Sequence, residues 1–456
     1  MKKILKRIVY LILIGGLAFI VIFAYPRVPI LTAFAAKGMC SSVFLADKDP
    51  DRVKAEDLSF FPISLAKMDI DYEEKSVTAR VFGLAKRKAV YREGLGSVLV
   101  LDVPEEELKK QSLQIPDPGY NQDTIPWPQG NVLTDFISEE VDIKKLASVV
   151  EEAFDLPGEE PFLKTMAIAV VYDGDLIAER YIEGYNENTR FHGWSMTKSV
   201  TSALVGVLSG QGKIDIKAPA NFPGWQDDER GKITLENLLQ MSSGLEWVEN
   251  YFTISEATIM LMQSSNMVEY VAGRPLANPP GTFYAYSSGD ANLVSGLIRN
   301  TLGNDQAYYE LPYNSLFHRI GMLNTTLETD ASGNFVSSSY SYGTTRDWAR
   351  FGMLYQNDGV FAGDTILPAG WVDFAMQDAP AANTNGSYGA GFWLEDPHPE
   401  KNLVGLPDDV FSANGFLGQR IFIIPSKKLV VVRMGFSSTN FGYKNFLRDI
   451  LSTLPE

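Results

Sequence analysis

A helical pattern of hydrophobic positions begins near residue 195 and ends at Gly210. The apolar residues of this stretch recur three or four positions apart, which places them on one face of a helix. They are Val200, Ala203, Leu204, Val207 and Leu208. Glycine commonly ends a helix because it adopts the left-handed backbone conformation without strain. The pattern therefore predicts a helix over residues 195–210.

Runs of β-branched and apolar residues predict a hairpin on either side of the region that contains this helix. Residues 165–172 and 176–182 flank an Asp-Gly turn, and residues 419–424 and 429–434 flank a second turn. Asp-Gly between two such runs is a strong hairpin signal. A capped helix is predicted at 233–245, between the hairpins. We expect an antiparallel sheet whose first and last strands come together.

Residues 1–30 have a different pattern, in which a cluster of Lys and Arg precedes an uncharged apolar run at 8–26. A run of this length can span a bilayer, and the positive cluster predicts an N-terminus inside with the rest of the chain outside. Residues 33–35, Ala-Phe-Ala, are similar to a signal-peptidase site, so cleavage is the alternative. We expect an uncleaved transmembrane helix that anchors the protein to a bacterial cell membrane, with the main domain on the extracytoplasmic side.

The stretch that follows the anchor predicts mixed structure without recognisable chemistry. Residues 76–82 alternate between apolar and polar side chains, and residues 97–102 form a β-rich run, so both are predicted strands. A proline-bearing stretch at 115–130 predicts a connecting arm. The sequence is therefore expected to contain three parts: a signal anchor (1–30), an N-terminal leader region (31–150) and a main domain (151–456).

Composition narrows the chemistry that the main domain can carry. The net charge of −16 argues against a nucleic-acid partner, which requires a basic face. Cys40 is the only cysteine, so internal disulfides and cysteine-rich zinc sites are excluded. The three histidines lack the spacing of a histidine-based metal site. We expect neither a metal nor a cofactor.

A candidate nucleophile lies at the start of the predicted helix, in the pattern Ser-x-x-Lys formed by Ser195 and Lys198. Residues three apart on a helix are neighbours, so Lys198 is expected beside the Ser195 hydroxyl. A serine hydroxyl becomes a good nucleophile when a base accepts its proton, and an amine can be that base if its surroundings lower its pKa. The helix N-terminus also favours negative charge that develops there. A second Ser-x-x-Lys match at 64–67 lacks such context.

Two further stretches are candidates for completing the site. Tyr286 lies on a loop directly before another predicted helix, where a phenol could share a proton with Lys198 and pass it to a leaving group. The glycine-containing stretch 413–419 enters the last hairpin, and glycine lets a backbone approach a ligand closely. The backbone amide of Phe416 is a candidate to form an oxyanion hole together with the amide of Ser195.

The order and spacing of these elements resemble the serine β-lactamase and penicillin-binding-protein superfamily. The likeness is greatest to its class C-like branch, which includes aminohexanoate-dimer hydrolases and family VIII-type carboxylesterases, and it covers about residues 160–456. It implies an α+β fold, an α/β sandwich in which an antiparallel sheet is flanked by helices, plus a helical subdomain. It also implies three roles: acylated nucleophile for Ser195, base partner for Lys198 and second acid–base group for Tyr286.

Further site residues follow from the same resemblance. Ser288 matches the third position of the tyrosine motif, where the β-lactamases usually have asparagine and the dimer hydrolases have serine. Asn414, Gly415 and Phe416 match the strand that binds substrate and contributes to the oxyanion hole. These four residues are expected to line the site beside the catalytic group.

One departure from the family pattern bears on the substrate. Where the β-lactamases carry Lys-Thr-Gly, this chain has Ala413-Asn414-Gly415. In the β-lactamases that lysine helps to place the carboxylate of the β-lactam, and alanine cannot do so. Arg420 is a candidate to reach the rim of the site in its place. Without such a cation, we expect the substrate to be an uncharged small ester or amide.

The sequence therefore predicts a membrane-anchored serine hydrolase that cleaves small esters or amides through an acyl-enzyme on Ser195. A D-amino-acid peptidase or β-lactamase that acts on cell-wall-like substrates is an alternative with the same chemistry. A membrane-tethered binding protein with a dead site is a second alternative. A third is a hydrolase with a G-x-S-x-G elbow, in which His318 or His398 would complete a triad; Thr197 in place of the second glycine argues against it.

Overall fold

The computed structural model of the protein describes residues 25–133, 139–155, 162–381, 387–394, 405–436 and 441–455, and the single positions 7, 10 and 383. The chain divides into two compact units. The first combines Met1–Ser112 with Trp247–Asn266, and the second combines Leu113–Glu246 with Met267–Glu456. The first unit is therefore discontinuous in sequence, because one of its segments is inserted into the second.

The secondary structure is numbered in chain order. The strands are β1 (Lys67–Asp71), β2 (Ser76–Val81), β3 (Leu84–Arg92), β4 (Gly96–Leu99), β5 (Thr165–Tyr172), β6 (Asp175–Tyr181), β7 (Arg190–His192), β8 (Thr326–Leu327), β9 (Ser341–Thr344), β10 (Val360–Phe361), β11 (Asp364–Thr365), β12 (Phe411–Gly415), β13 (Gln419–Ile424) and β14 (Leu429–Gly435). The α-helices are α1 (Val28–Phe44), α2 (Pro50–Ala55), α3 (Glu105–Leu108), α4 (Ile143–Glu152), α5 (Met196–Gly210), α6 (Leu235–Leu239), α7 (Glu256–Gln263), α8 (Met267–Ala272), α9 (Ser288–Leu302), α10 (Asp305–Pro312), α11 (Thr345–Gln356), α12 (Trp371–Met376) and α13 (Tyr443–Leu451).

The first unit is built around helix α1. Its four antiparallel strands pair in the order β1-β2-β3-β4, and α1 packs across this sheet. Helix α7, from the inserted segment, packs against α1 as well. Residues on several sides of α1 are fully buried, among them Ala33, Ala36 and Met39. A helix that is apolar all round is one enclosed by its neighbours, and α1 fits that description.

Strands β2 and β4 confirm the two strands predicted in the leader region, although both end earlier than the sequence suggested. Helix α1 was not predicted. Its apolar residues surround the helix instead of recurring on one face, so the periodic signal of an amphipathic helix is missing. Its small residues, such as Ala35, let it lie close to the sheet.

The predicted membrane anchor at 8–26 lies almost entirely outside the described residues. Among the helices that the structure does describe, none is both long and apolar enough to cross a bilayer. The triplet that resembles a signal-peptidase site lies within α1, where Ala33 and Ala35 are fully buried. Cleavage after Ala35 would remove the first part of the helix on which the first unit is built.

The second unit contains a five-stranded antiparallel sheet in the order β12-β13-β14-β5-β6. Both predicted hairpins are confirmed, as β5–β6 and β13–β14. Strand β14 pairs with β5 from Leu429, opposite Tyr172, to Gly435, opposite Thr165. The prediction that the first and last strands of this region come together is therefore confirmed.

Helices cover both faces of this sheet. Alternate residues of a strand point to opposite faces, and Ile168, Val170 and Val431 belong to a core cluster with residues of α4 and α13. On the other face α11 packs across β5, β13 and β14. Gly352 allows this close approach, because a Cβ there would lie 2.4 Å from Val430 Cγ1. The second unit is thus an α+β sandwich with an antiparallel sheet between helices.

A set of helices follows α5 in the chain and forms the helical part of the second unit. Helix α9 is its centre, since it packs against α6, α8 and α10 as well as α5. Gly296 of α9 is closely packed, because a Cβ there would lie 2.6 Å from Val268 Cγ1 in α8. This arrangement fixes the N-terminal end of α9, where Ser288 lies, relative to α5.

The proline-bearing arm is held by Arg350 of α11. The guanidinium donates to the carbonyl oxygens of Pro128 (2.6 Å) and Gly130 (2.7 Å) and lies 4.5 Å over the Trp127 ring. Asp347 lies 3.4 Å from Arg350, and both side chains are buried. Burial raises the pKa of Asp347, and burial lowers the pKa of Arg350 to about 10. By this packing the arm belongs to the second unit, although the sequence grouped it with the leader region.

Replacing Arg350 with methionine should destabilise the second unit. The variant leaves the Asp347 carboxyl buried without its cation and deprives two carbonyl groups of their donor. Removing one partner of a buried ion pair costs about 3–5 kcal/mol of unfolding free energy. Urea denaturation of wild type and Arg350→Met measures the difference.

Arg448→Met is the matched control, because Arg448 lies on α13 with 59% of its side chain exposed. An exposed substitution of this kind changes the unfolding free energy by about 0.5 kcal/mol or less. Equal stabilities of the two variants would show that Arg350 does not hold the arm.

Candidate active site

A short three-stranded sheet in the order β7-β9-β8 leads the chain to the candidate nucleophile. Strand β7 runs into Gly193, whose N–H donates to the Ser341 carbonyl at 2.8 Å. A Cβ at Gly193 would lie 2.6 Å from both Ser341 Oγ and the Trp348 ring, so only glycine fits. Trp194 follows with a φ of +49°, a strained conformation of the kind that occurs at active sites. This turn places Ser195 at the N-cap of α5.

Lys198 lies one turn into α5, and only 3% of it is exposed. Its Nζ is 3.1 Å from the Oγ of Ser195, as the helical spacing predicted. The same Nζ donates to Ser288 Oγ at 3.2 Å and to the Ser338 carbonyl oxygen at 3.0 Å. The amine is therefore enclosed by hydroxyl and carbonyl oxygens from three separate parts of the chain.

Ser288 and Tyr286 flank the start of helix α9. Ser287 caps the helix, since its Oγ accepts from the Asp290 N–H at 2.9 Å, and this agrees with the predicted cap. The cap holds Ser288, which is fully buried, at the first position of the helix facing Lys198. The structure thus brings Ser288 to the Lys198 amine.

Tyr286 is half-buried, and the centroid of its ring lies 4.7 Å from the Nζ of Lys198. The ring packs against two other aromatic side chains, with centroid distances of 5.0 Å to Trp393 and 5.6 Å to Tyr388. These contacts hold the phenol beside the amine. The structure therefore brings Tyr286 to Lys198, as its position before a predicted helix suggested.

Two contributors to this arrangement, Ser338 and Asn292, were not predicted from the sequence. The carbonyl of Ser338 accepts from Lys198, but a backbone group leaves no side-chain signature in a sequence. Asn292 lies one turn into α9, is fully buried, and its Nδ2 donates to Ser338 Oγ (3.0 Å) and to the Ser288 carbonyl (2.9 Å). It therefore ties the start of α9 to the segment that binds the amine. The signal that could have found it is its spacing, because Asn292 lies four residues after Ser288 and therefore on the same face of the helix.

Strand β12 ends beside the turn that carries the nucleophile. A Cβ on Gly415 would lie 2.4 Å from the carbonyl oxygen of Gly193, so the two backbones are in close contact. The ring of Phe416 packs edge-to-face on Trp194, with the centroids 5.3 Å apart. Asn414 precedes Gly415 on the same strand and is half-buried. The three predicted residues of this strand therefore lie next to the Ser195 turn.

Arg420 does not reach the rim of the site, contrary to the possibility raised from the sequence. It pairs with Asn414 across β12 and β13, and its Nη1 donates to the Gly415 carbonyl at 3.1 Å. Its guanidinium lies 5.0 Å over the ring of Tyr443 in α13, which packs on the face of the sheet opposite α11. Ala413 directly precedes Asn414, the partner of Arg420, and successive residues of a strand point to opposite faces. The buried methyl group of Ala413 therefore points to the face opposite that of Arg420.

The histidines have structural contacts of their own. His192 is stacked between Trp194 and Tyr342, with centroid distances of 3.9 Å and 4.6 Å, and its Nε2 lies 2.7 Å from the Ser339 carbonyl oxygen. His318 contributes its carbonyl oxygen to a hydrogen bond from the Tyr120 hydroxyl. His398 lies outside the described residues. The titratable side chain that the structure places within hydrogen-bond distance of the Ser195 hydroxyl is that of Lys198.

Comparison with known families identifies the class of this protein. Residues 154–447 match the family described as Beta-lactamase, and they make up more than half of the chain. The chain belongs to the Beta-lactamase family of serine hydrolases and is an enzyme of that class. This agrees with the resemblance drawn from the sequence motifs.

The individual proteins that the chain resembles are less than a quarter identical to it in sequence. The 6-aminohexanoate-dimer hydrolase of Paenarthrobacter ureafaciens is 23% identical over 294 residues, which are 59% of this chain and 72% of the relative. A Bacillus anthracis structure described provisionally as a 6-aminohexanoate-dimer hydrolase is 24% identical, with a TM-score of 0.57, covering 75% of this chain and 92% of the other. A family VIII carboxylesterase is 16% identical, with a TM-score of 0.52, covering 71% and 100%. These structures show that the fold is the one the motifs implied.

Replacing Asn292 with alanine should slow turnover more than it weakens substrate binding. The variant removes the hydrogen bond that ties α9 to Ser338 Oγ and a second one to the Ser288 carbonyl within α9, so the segment whose carbonyl orients Lys198 loses its tie to the helix. Leaving such buried groups unsatisfied costs about 1–3 kcal/mol, or roughly 5- to 150-fold in kcat if it is felt in the transition state. Steady-state kinetics on a nitrophenyl ester measures kcat and KM separately.

Asn304→Ala serves as the matched control. The Oδ1 of Asn304 accepts from the Ala307 N–H and caps α10, so its loss costs about 1 kcal/mol of stability without touching Lys198. An Asn292 variant with the same kcat as this control would rule out a positioning role.

Proposed function

We propose that this enzyme hydrolyses small, uncharged esters or amides through a covalent acyl-enzyme on Ser195. The observation that supports this most directly is the 3.1 Å contact between the Oγ of Ser195 and the buried amine of Lys198. The names of the relatives, an aminohexanoate-dimer hydrolase and a carboxylesterase, agree with amide and ester substrates. The geometry of the site supports a role for each of its residues.

The contacts of Lys198 suit an amine that accepts a proton. A neutral amine has two N–H donors and one lone pair. The Ser338 carbonyl can only accept, and Ser288 Oγ accepts a second hydrogen, so the two donors are occupied. The lone pair is then left for the hydroxyl proton of Ser195. Lys198 acts as the general base on this hydroxyl.

Acylation then proceeds with Tyr286 as the second proton carrier. Ser195 Oγ attacks the carbonyl carbon of the substrate while its proton passes to Lys198. The Tyr286 phenol, beside the Lys198 amine, donates a proton to the leaving oxygen or nitrogen as the ester or amide bond breaks, and it regains a proton from Lys198. Water then adds to the acyl-enzyme, and the carboxylic acid leaves as the Ser195 hydroxyl re-forms.

Negative charge on the substrate oxygen is stabilised by backbone N–H groups. The amide of Ser195 lies at the N-terminal end of α5, where the helix dipole is positive. The amide of Phe416, just after β12, is the second donor, since Gly415 brings this strand against the Ser195 turn. Two donors of this kind form an oxyanion hole. Ser288 adds a polar side chain beside Lys198. Asn414 pairs with Arg420 across β12 and β13 and shares its face of the sheet, so Asn414 contributes to the site through its backbone.

The third motif supports the proposed substrate class. Ala413 supplies a methyl group where a β-lactamase has a lysine, and Arg420 is held on the opposite face of the sheet by Tyr443. Neither residue offers a positive charge to a substrate carboxylate. The site therefore favours acyl groups without a carboxylate next to the reacting carbonyl, rather than β-lactams or D-alanyl peptides.

The location of the enzyme is also part of the proposal. The uncharged apolar run at 8–26 follows four basic residues, and this combination supports a single-pass anchor with the catalytic unit on the extracytoplasmic side of a bacterial membrane. The burial of Ala33 and Ala35 in α1 supports retention of the anchor, because cleavage there would cut into the first unit.

Lys198→Arg should lose nearly all activity while keeping its fold. Arginine retains the positive charge but does not accept a proton near neutral pH, so the variant should lose the 10²–10⁴-fold that general-base catalysis contributes. Hydrolysis of nitrophenyl butyrate and labelling of Ser195 by a fluorophosphonate are measured together.

Replacing His192, His318 and His398 at once is the control and should leave appreciable turnover. An active arginine variant would exclude Lys198 as the base, and failure of the wild type to label would indicate a binding protein without catalysis.

The wild-type enzyme should turn over nitrophenyl butyrate faster than a chromogenic cephalosporin. A charge-assisted hydrogen bond to the β-lactam carboxylate contributes about 1.5–3 kcal/mol, which corresponds to roughly 10- to 150-fold in rate, and Ala413 cannot provide it. Side-by-side kinetics of the two substrates and of a D-alanyl dipeptide measures this preference, with Ser195→Ala as the blank. Preference for the cephalosporin or the dipeptide would assign the enzyme to cell-wall chemistry instead.

A further inference from the structure

The hairpin turn between β2 and β3 contains an unusual residue. Phe82 and Gly83 both have positive φ, +50° and +77°, and Val81 pairs with Leu84 around them. Such two-residue turns favour Asn-Gly or Asp-Gly. Phenylalanine is unfavourable in this conformation, and this side chain is 85% exposed to solvent. Neither the turn nor the core of the first unit requires it.

The β5–β6 hairpin of the same chain shows the usual solution. Asp173 and Gly174 form its turn, with φ of +47° and +93°, and Tyr172 pairs with Asp175. The chain therefore has the expected residue where only a turn is needed. A costly residue that remains exposed suggests a role outside the fold.

Other large apolar side chains are exposed at the start of β3 and in the segment that precedes β1. They are Phe61 (77%), Leu65 (43%) and Leu84 (55%), and with Phe82 we name them the apolar end. Lys67, at the start of β1, lies opposite Arg80, close to the end of β2. The residues just before β1, including Leu65, therefore lie at the same end of the sheet as the Phe82 turn.

Helix α1 enters the first unit at this end. Thr32, in its first turns, donates through Oγ1 to the carbonyl of Ala85 at 2.6 Å, directly after the Phe82 turn. The last residue of α1, Phe44, instead packs at 5.9 Å against Tyr72, in the turn at the other end of β2. The apolar run at 8–26 precedes α1 in the sequence, so the chain passes from that run to the apolar end.

Basic residues accompany the apolar end. Arg27 directly follows the apolar run and precedes α1, and Lys67 and Lys86 are both exposed. Arg87 follows on β3 and is half-buried. Aromatic and aliphatic side chains surrounded by Lys and Arg are characteristic of protein surfaces that lie at the boundary between lipid headgroups and acyl chains.

We propose that the apolar end of the first unit inserts Phe82, Phe61 and their neighbours into the surface of the lipid bilayer. The inference rests on the proposed anchor, since residues 8–26 would hold this end at the membrane. Through this insertion the first unit makes a second contact with the membrane besides the anchor. The two contacts together fix the orientation of the unit on the membrane, which is a function separate from catalysis.

The test uses the full-length protein, reconstituted into vesicles of phosphatidylcholine and phosphatidylglycerol. Cys40 is fully buried and is replaced with alanine, and one cysteine is introduced as Phe82→Cys or Tyr72→Cys and labelled with an environment-sensitive fluorophore. Tyr72 is the matched control, because it is also exposed, at 63%, but lies about 20 Å away at the other end of β2. Emission at position 82 should shift to the blue and be quenched several-fold more by spin-labelled lipid than emission at 72.

The outcomes separate the anchor from the insertion. Flotation with the vesicles and equal quenching at 82 and 72 would overturn the insertion and leave the anchor intact. Failure of the wild-type chain to float would overturn both. Flotation with selective quenching at 82 supports the insertion.

A second variant tests the residue itself. Phe82→Asn restores a residue that suits the turn, so thermal stability should be unchanged or higher. Quenching of a fluorophore at Phe61→Cys should decrease in this background, because the most exposed side chain of the apolar end is lost. Undiminished quenching at position 61 would show that Phe82 makes no contribution to membrane contact.

Discussion

The buried amine of Lys198 is the contact on which the catalytic unit depends. An amine removed from water needs a partner for each hydrogen, and here the partners come from α5, α9 and the segment before β9. These parts lie far apart in sequence. The sheet, the cap of α9 and the hydrogen bonds of Asn292 bring them to within about 3 Å of one atom. The arrangement of these elements around the site encloses this amine.

The contact between the candidate nucleophile and its neighbouring amine was predictable from the sequence, because it depends only on the spacing of two residues along one helix. Ser195 and Lys198 are three positions apart on the helix, and that spacing alone predicted their contact. Alternating and β-branched runs predicted both hairpins of the second unit. The Ser338 carbonyl was beyond reach, since any residue type presents the same backbone oxygen. The positioning role of Asn292 is visible only in the folded chain, where the segment at 337–339 lies against α9.

Long-range placement was the part that the sequence left open. Arg420 is six residues from Asn414 along the chain, and only the strand register shows that its side chain points to the face covered by α13. Helix α1 gave no periodic signal, because its apolar residues face the sheet on one side and α7 on another. The apolar run at 8–26 was evident from composition alone, which is why it could be interpreted without any tertiary information.

The inserted segment at 247–266 has a consequence for biosynthesis. Helix α7 packs against α1, yet more than two hundred residues of chain separate them. Contacts of such long sequence separation form late, because a large loop must close first. At a synthesis rate of about 5–20 residues per second, roughly 10–50 s pass before α7 has been made. During that interval the apolar surface of α1 that α7 will cover has no native neighbour on the nascent chain, so an early domain of this protein is completed by a late piece of sequence.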